Sequence, residues 1–271
     1  MHFYVNITQQ DSTISRSNIE YYKSLLKYCH KLPEKSDEKI PHITHQSWKT
    51  EILPDHFHRW RATLLSKHPD WDHRLWTDSD NMKLIKEKFP NYFEMFKNFP
   101  RNIFRIDSVR AFYLYEYGGV YLDLDMKLYS SMTPLIDQYT NSNILLGRMG
   151  TNGQFDNSVP NAFMVSTPRH PFWLCYIGKI MERTMMGSRL NPKYYTPEYR
   201  TGPEILREVF IEYSKNHNFD YEQLEEISKL KTSKPSILME NKVSVGFIKL
   251  LNESLIYPYN WNDGAKYGDV C

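Results

Sequence analysis

The chain has 271 residues, which is long enough for one large domain or for a domain with an added subdomain. Its 34 basic and 32 acidic residues nearly cancel, so the overall charge gives no reason to expect a nucleic-acid partner. No stretch approaches the roughly 18 apolar residues that a membrane-spanning helix needs. We therefore expect neither nucleic-acid binding nor a membrane span from this chain.

Cysteine usage gives an expectation about the cellular compartment. The three cysteines, Cys29, Cys175 and Cys271, form no CxxC pair and no metal-ligand spacing, and their number is odd. We therefore expect no disulfide framework, which favours a reducing compartment. Residues 1–7 are too few and too polar for a signal peptide, so a cytoplasmic or cytosol-exposed soluble protein is expected. The Golgi lumen is the alternative if a membrane anchor has been removed.

Hydrophobic patterning divides the chain into two regions. Residues 1–38 are predicted to form an N-terminal extension with a helix at 17–32, and residues 39–271 to form the main domain. In the main domain, strands are predicted at 40–46, 73–77, 120–124, 127–129, 143–148 and 162–166, helices at 54–67, 78–89, 91–98, 107–117, 171–186 and 201–215, and short β-rich runs at 236–239, 243–249 and 254–257. Strands that alternate with helices predict an α/β fold with a mostly parallel sheet covered on both faces. Ligands bind such sheets beyond the carboxyl ends of their strands.

The run 105–126 carries the clearest chemical signal. It joins a helical segment to Gly118-Gly119, and then to a short apolar strand followed by Asp123 and Asp125. Residues two apart in a strand point to the same side, so both carboxylates can aim at one point. Two hard oxygen ligands at a strand end suit Mg²⁺ or Mn²⁺ holding a diphosphate.

The lengths of the helix and the strand bring two more charges to the same point. From Asp107 to Tyr117 a helix rises roughly 15 Å, and the glycines then allow a sharp turn. From Gly118 to Asp123 the strand returns by roughly 16 Å. Asp107 and Arg110 share one helix face because they are three residues apart. We therefore predict one site with three acids and one guanidinium, suited to a polar, anionic, hydroxyl-rich ligand.

The same run resembles the sugar-binding region with the DXD motif of glycosyltransferase family 32. This family includes yeast Golgi mannosyltransferases and inositol-phosphoceramide mannosyltransferases, and the glucosylating clostridial toxins share its core pattern. Other stretches are similar to the family in the family's order, namely Ile40–Trp48, Arg74–Asp78, Asn161–Ser166, Thr201–Pro203 and Tyr257–Trp261. A DXD alone is a weak signal, whereas the ordered set, over about residues 40–261, is strong. The resemblance implies a GT-A-like fold, a single Rossmann-type sheet flanked by helices, with a helical N-terminal extension and a small β-rich C-terminal part.

The resemblance also implies roles for the charged residues. Asp125 is expected to bind the metal directly, and Asp123 to contact the ribose or the donor sugar and to reach the metal through water. Asp107 and Arg110 are expected to hold donor-sugar hydroxyls, and Arg110 also phosphate. An ordinary ion pair on a helix is the plainer interpretation of Asp107 and Arg110.

Further donor-binding residues follow from the same resemblance, although core packing is an equally good explanation for several of them. They are His45, Gln46, Ser47, Trp76, Asp78, Asn161 and Trp261. Thr201, Gly202 and Pro203 are expected to form a wall of the acceptor cleft. The tail departs from the family pattern because it contains no histidine that completes the metal shell. The candidates there are Trp261, Asn262, Asp263 and Asp269.

The implied activity is that of a metal-dependent, retaining glycosyltransferase. It would move a sugar from a UDP- or GDP-linked donor to a hydroxyl of a glycan, lipid or protein, with Mn²⁺ or Mg²⁺ as the cofactor. No residue is an obvious covalent nucleophile, so front-face displacement is expected. One alternative is a metal-dependent phosphohydrolase, although such enzymes usually place Thr or Gly after the motif, where Met126 and Lys127 stand here. The other is a non-catalytic domain that binds sugar nucleotides.

Overall fold

The computed structural model describes residues 16–33, 38–149, 159–190, 195–217, 247–251 and 253–257. Its strands are β1 Ile43–Ser47, β2 Asp72–Trp76, β3 Gly119–Leu122, β4 Ser142–Gly147, β5 Phe163–Ser166 and β6 Phe247–Leu251. Its helices are α1 Arg16–Leu26, α2 Asp55–Lys67, α3 Asp78–Lys88, α4 Pro90–Lys97, α5 Asn102–Tyr117, α6 Thr133–Gln138, α7 Pro171–Leu190, α8 Pro197–Arg200, α9 Pro203–Asn216 and α10 Glu253–Ile256. Among the described residues, no helix combines the length and the hydropathy needed to cross a bilayer.

The six strands form one sheet in the order β2-β1-β3-β5-β4-β6. Strand β1 runs parallel to both β2 and β3, and β4 runs parallel to β6. Strand β5 is antiparallel to its two neighbours, β3 and β4. Since three of these five pairings are parallel, the prediction of a mostly parallel α/β sheet flanked by helices is confirmed.

Both faces of the sheet are buried, because successive side chains of each strand enter opposite cores. Tyr121 of β3 lies in the larger core with Phe112 of α5 and Trp173 of α7. Its neighbours Val120 and Leu122 lie in the smaller core, which also contains residues of α2 and α6. Burial on two faces explains why the central strands β3 and β5 read as nearly continuous apolar runs.

The predicted N-terminal helix is present, as α1 followed by a 3₁₀ turn, Lys27–His30. Leu25 of α1 and Cys29 of the turn are buried in the larger core of the main domain. The division of the chain at residue 38 stays a prediction.

Three of the predicted elements differ from the structure. Strand β3 ends at Leu122, because Asp123 and the residues after it form a turn, and residues 127–129 are not a strand. The run 254–257 forms the short helix α10 and a single bridge between Tyr257 and Met149. Helices α6 and α8 were not predicted, and each is six residues or shorter. The predicted β-rich run 236–239 lies outside the described residues.

The turn between α5 and β3 depends on its two glycines. The φ angles of Gly118 and Gly119 are 65° and 87°, a region that side chains with a Cβ atom rarely adopt. A Cβ atom at Gly119 would also lie 2.4 Å from the carbonyl oxygen of Ile43. The glycines therefore allow both the sharp reversal and the close approach of β3 to β1.

The expectation that no disulfide forms is wrong, because Cys29 and Cys175 are bonded to each other. Their Cα atoms lie 4.8 Å apart, within the usual range for a disulfide. The bond joins the 3₁₀ turn after α1 to helix α7 across a sequence separation of 146 residues. The odd number of cysteines had argued against any disulfide, but two of the three can pair and leave one over. The third, Cys271, lies outside the described residues.

Removing the disulfide is expected to destabilise the protein by about 2–5 kcal/mol, because the bond closes a long loop in the unfolded chain. The double variant Cys29→Ala/Cys175→Ala should show this loss in urea unfolding. Reducing agent should lower the unfolding midpoint of the wild type and of a Cys271→Ala control, and should leave the double variant unchanged. A wild-type unfolding midpoint that does not change on addition of reducing agent would contradict the Cys29–Cys175 disulfide.

Candidate active site

The carboxyl ends of β1, β2 and β3 meet at one edge of the sheet because these strands are parallel. Asp123 follows β3 at this edge. Asn161 comes to the same edge because it precedes β5, whose first residue Phe163 pairs with Leu122. The described polar residues that the sequence singles out therefore gather where ligands of such sheets bind.

Arg110 is the centre of the polar cluster. Its Nη2 atom lies 3.2 Å from Asp107 Oδ1 and 3.2 Å from Asp123 Oδ1. Its Nη1 atom donates a hydrogen bond of 2.8 Å to the carbonyl oxygen of Asn161. The guanidinium carbon also lies 4.8 Å from the centre of the Tyr121 ring. Since only 6% of Arg110 is exposed, these contacts hold the guanidinium almost entirely out of water.

Asp107 is equally buried, and three groups bind its carboxylate. Besides Arg110, the side-chain amide of Asn161 donates to Oδ1 over 3.1 Å, and the hydroxyl of Thr201 donates to Oδ2 over 3.3 Å. Desolvation nevertheless raises the pKa of Asp107 to about 6, since burial outweighs the opposing effect of Arg110. The structure thus joins Asp107, Arg110 and Asn161, while their roles toward a ligand stay predictions.

Asp123 and Asp125 occupy a turn and not a continuing strand. The backbone N–H of Asp123 donates to Ala162 over 2.9 Å, and that of Met126 donates to Asp123 over 3.2 Å. The alternation of side chains in a strand therefore does not apply to Asp125, which is exposed. Desolvation, and then repulsion from Asp123, raise the pKa of Asp125 above its ordinary value. The turn, and not the alternation of a strand, therefore sets the position of Asp125 relative to Asp123.

The cluster contains a residue that the sequence analysis missed. The hydroxyl of Tyr121 donates a hydrogen bond of 2.6 Å to Asp123 Oδ1. Together with Arg110, this bond fixes the orientation of the Asp123 carboxylate. The available signal was the spacing of Tyr121 and Asp123, since residues two apart in the predicted strand 120–124 share a side.

These carboxylates fit a divalent cation only in part. Within the described residues, no group of three or more His, Cys, Asp or Glu side chains is arranged to hold a metal. Two neighbouring carboxylates nevertheless suit Mg²⁺ or Mn²⁺, which commonly take one or two carboxylates and complete their shells with water and substrate phosphate. The expected tail ligands Trp261, Asn262, Asp263 and Asp269 lie outside the described residues.

His45 is buried with both ring nitrogens engaged. The indole N–H of Trp76 donates to Nδ1 over 3.1 Å, so Nε2 carries the proton and donates to the carbonyl oxygen of Gly118 over 2.9 Å. Desolvation lowers the pKa of His45 to about 4, which keeps the ring neutral. The ring also stacks on Tyr113, with 5.5 Å between centroids. In this arrangement His45 and Trp76 support the Gly118-Gly119 turn, and their predicted contact with the nucleotide stays a prediction.

The other predicted donor-binding residues lie around β1 and α3. Ser47 donates to the carbonyl oxygen of Trp76 over 3.2 Å and accepts from the side-chain amide of Asn81. Asp78 accepts a hydrogen bond of 3.1 Å from Asn102 and lines a cavity of about 300 Å³. Gln46 is 1% exposed, and its amide has no hydrogen-bond partner among the described residues. Trp261 lies outside those residues.

The stability of the protein should fall with rising pH because of Asp107. Its folded pKa of about 6 lies above the ordinary 3.8, so its contribution is fully present below about pH 4 and is lost as the pH rises through about 6. This rise in pKa corresponds to up to about 3 kcal/mol. Asp107→Asn should flatten this part of the profile in urea unfolding between pH 4 and 7, whereas the exposed Asp137→Asn should follow the wild type. Parallel profiles for Asp107→Asn and the wild type would refute the assignment.

Residues 54–142 match the family described as the glycosyltransferase sugar-binding region containing the DXD motif. This span includes Asp107, Arg110, Asp123 and Asp125, and it includes the turn between α5 and β3. The family match therefore falls on the cluster that the geometry brings together.

Curated relatives match a larger part of the chain. A mannosyl phosphorylinositol ceramide synthase of Saccharomyces cerevisiae is 33% identical over 65% of this chain and 43% of the relative. Inositol phosphoceramide mannosyltransferase 1 of Schizosaccharomyces pombe is 35% identical over 65% of this chain and 53% of the relative. An uncharacterized glycosyltransferase of Acanthamoeba polyphaga mimivirus is 23% identical over 66% of this chain and 67% of that protein. The chain thus spans about half the length of the two yeast relatives.

Among solved structures, the PaToxG glycosyltransferase gives a TM-score of 0.43 at 17% identity, over 78% of this chain and 83% of that one. So distant a likeness carries no further conclusion. The matched region and the curated relatives agree with the resemblance seen in the sequence. The chain therefore resembles the glycosyltransferases whose sugar-binding region contains the DXD motif.

Proposed function

We propose that this protein is a metal-dependent, retaining glycosyltransferase that uses a UDP- or GDP-linked sugar and Mn²⁺ or Mg²⁺. The observation that carries the proposal is the cluster around Arg110, which holds Asp107 and Asp123 at the carboxyl edge of the sheet. Asp125 lies in the same turn as Asp123, and repulsion from Asp123 contributes to its raised pKa. The match of residues 54–142 supports the reaction class, because the matched region is described as a sugar-binding one.

Each residue of the cluster has a distinct task in this proposal. Asp123 and Asp125 supply carboxylate oxygens to the cation, which offsets the negative charge of the diphosphate leaving group when it is bound. Arg110 and Tyr121 hold Asp123 in one orientation, so that little reorganisation is needed during the reaction. Asp107 binds hydroxyl groups of the donor sugar, and Asn161 and Thr201 hold its carboxylate in place.

The curated relatives point to the sugar and to the acceptor. Both yeast relatives are named for mannosyl transfer to, or synthesis of, inositol-containing phosphoceramides. We therefore propose that a mannosyl group is the one transferred, and that a hydroxyl of an inositol phospholipid is the acceptor. Glycan and protein acceptors are the alternatives that the acceptor assay must include.

The disulfide changes the expected location. Disulfides persist in oxidising compartments and are rare in the cytosol. The Cys29–Cys175 bond therefore supports the lumen of the secretory pathway as the site of action, in preference to the cytoplasmic location expected from the cysteine count.

A thermal-shift screen of nucleotide sugars, with and without Mn²⁺, tests this function. A donor at about 100 times its Kd should stabilise the folded state by about 2.7 kcal/mol, and only when the cation is present. Each donor that binds is then incubated with inositol phospholipid, glycan and protein acceptors, and product is measured by mass spectrometry. Absence of any donor-dependent shift would refute the proposal. Phosphate release from simple phosphomonoesters would favour a phosphohydrolase, and donor binding with neither transfer nor hydrolysis would favour a non-catalytic domain.

A further inference from the structure

Arg200 is a buried cation without an anionic partner in the described part of the chain. Only 6% of the residue is exposed, and its Nε atom has no hydrogen-bond partner among the described residues. None of the ion pairs formed by described residues includes it. Its guanidinium carbon lies 4.8 Å from the centre of the Phe104 ring.

Other buried arginines of this protein show what Arg200 lacks. Arg110 is paired with Asp107 and Asp123, and Arg183 is paired with Glu208. Burying a charge is costly unless the charge is paired. Stacking on Phe104 offsets a part of that cost. The remainder is offset if an anionic ligand completes the contact.

Arg200, the last residue of α8, packs against α5, and the point of contact suggests which part of the substrates carries the anion. Arg200 lies over Phe104, which is one helical turn before Asp107, whereas Arg110 and Asp123 lie on the other side of Asp107. Thr201, the next residue after Arg200, donates to Asp107. From the carboxyl end of α5 toward its amino end, the acids proposed for the diphosphate therefore come first. Asp107, proposed for the donor sugar, follows, and Arg200 of the neighbouring α8 comes last. With the diphosphate and the sugar at these proposed positions, Arg200 would lie on the far side of the sugar, where we expect the acceptor.

We propose that Arg200 binds a phosphate group of the acceptor and thereby selects acceptors in which a phosphodiester lies close to the reacting hydroxyl. A guanidinium presents paired N–H donors that match two oxygen atoms of a phosphate. The inference rests on the proposed function, since it assigns a partner to the acceptor side of the same site. It goes further by making one residue responsible for recognition of the acceptor's charge.

The test compares two soluble acceptors that share the same hydroxyls, glycerophosphoinositol with a phosphodiester and myo-inositol without one. Arg200→Gln should lower kcat/KM for glycerophosphoinositol by roughly 10- to 100-fold, the loss of one or two charged hydrogen bonds. It should leave kcat/KM for myo-inositol and the Kd of the donor unchanged. Arg200→Lys should retain only a part of the activity with glycerophosphoinositol, because it keeps the charge but loses the paired N–H donors.

A matched control is Arg169→Gln, since the Arg169 guanidinium also lies over an aromatic ring, that of Tyr115, but is paired with Glu116. This variant should leave both acceptors unaffected. Equal losses with both acceptors would overturn the proposal, and so would a matching loss of donor affinity, because the phosphate would then belong to the donor. Urea unfolding of Arg200→Gln excludes misfolding as the cause of any loss. A wild-type enzyme that binds no donor contradicts the proposed function itself, whereas a donor-binding wild type that uses both acceptors equally contradicts only the role of Arg200.

Discussion

Replacing Arg110 with glutamine is expected to lower the free energy of unfolding by about 3–5 kcal/mol. The variant would leave the carboxylates of Asp107 and Asp123 without their shared cation, and removing one partner of a buried ion pair costs this much. The carbonyl oxygen of Asn161 would also lose its 2.8 Å hydrogen bond. Urea unfolding at pH 7 measures the loss.

A control variant and a pH profile separate this electrostatic effect from a loss of packing. Arg74→Gln removes a more exposed ion pair with Asp72, so its cost should be only about 0–1 kcal/mol. Without Arg110, the pKa of Asp107 should rise above its present value of about 6, because the guanidinium now opposes the effect of burial. The pH range over which stability falls should therefore move upward in Arg110→Gln. An unchanged pH profile would show that Arg110 acts through packing alone.

The Asp125→Asn variant should lose transfer activity by a factor on the order of 10³, because the amide cannot supply the charge that the cation requires. Its apo stability should change by no more than about 0.5 kcal/mol, since the residue is exposed in a turn. The stabilisation of the wild type by a nucleotide sugar with Mn²⁺ should disappear in the variant. Steady-state kinetics and thermal shifts provide these measurements.

Asp137→Asn is the matched control for this experiment, since Asp137 is an exposed carboxylate on α6. It should retain the activity and the Mn²⁺-dependent shift. A large loss of apo stability in Asp125→Asn would mean that the acid supports the turn. Full activity in Asp125→Asn would remove it from the proposed metal site.

The convergence of Asp107, Arg110 and Asp123 was predictable because it depends on local geometry alone. A helix of known rise, two glycines and a strand of known rise bring these residues together, whatever surrounds them. The same reasoning failed at Asp125, because the point at which a strand ends depends on its neighbours. Here the ladder with β5 stops at Leu122, apart from the hydrogen bond of Asp123 to Ala162.

Long-range contacts were the second limit. The Cys29–Cys175 bond depends on how the N-terminal segment packs on α7, and no local pattern reports that packing. His45 shows a related difficulty. Alternation along β1 predicts which face it lies on, but not that Trp76 and Gly118 occupy both of its ring nitrogens.

The hairpin of α5, Gly118-Gly119 and β3 also bears on the order in which the molecule assembles. Its ion pairs join residues close in the chain, so little loop entropy opposes them. The groups that hold Asp107 from the other side, Asn161 and Thr201, are 54 and 94 residues away from it. During refolding, the ion pairs of Arg110 with Asp107 and Asp123 should therefore form early, and their burial by the segments around Asn161 and Thr201 should come late. Until those distant segments arrive, water reaches the cluster, and Asp107 should have a pKa close to its ordinary value.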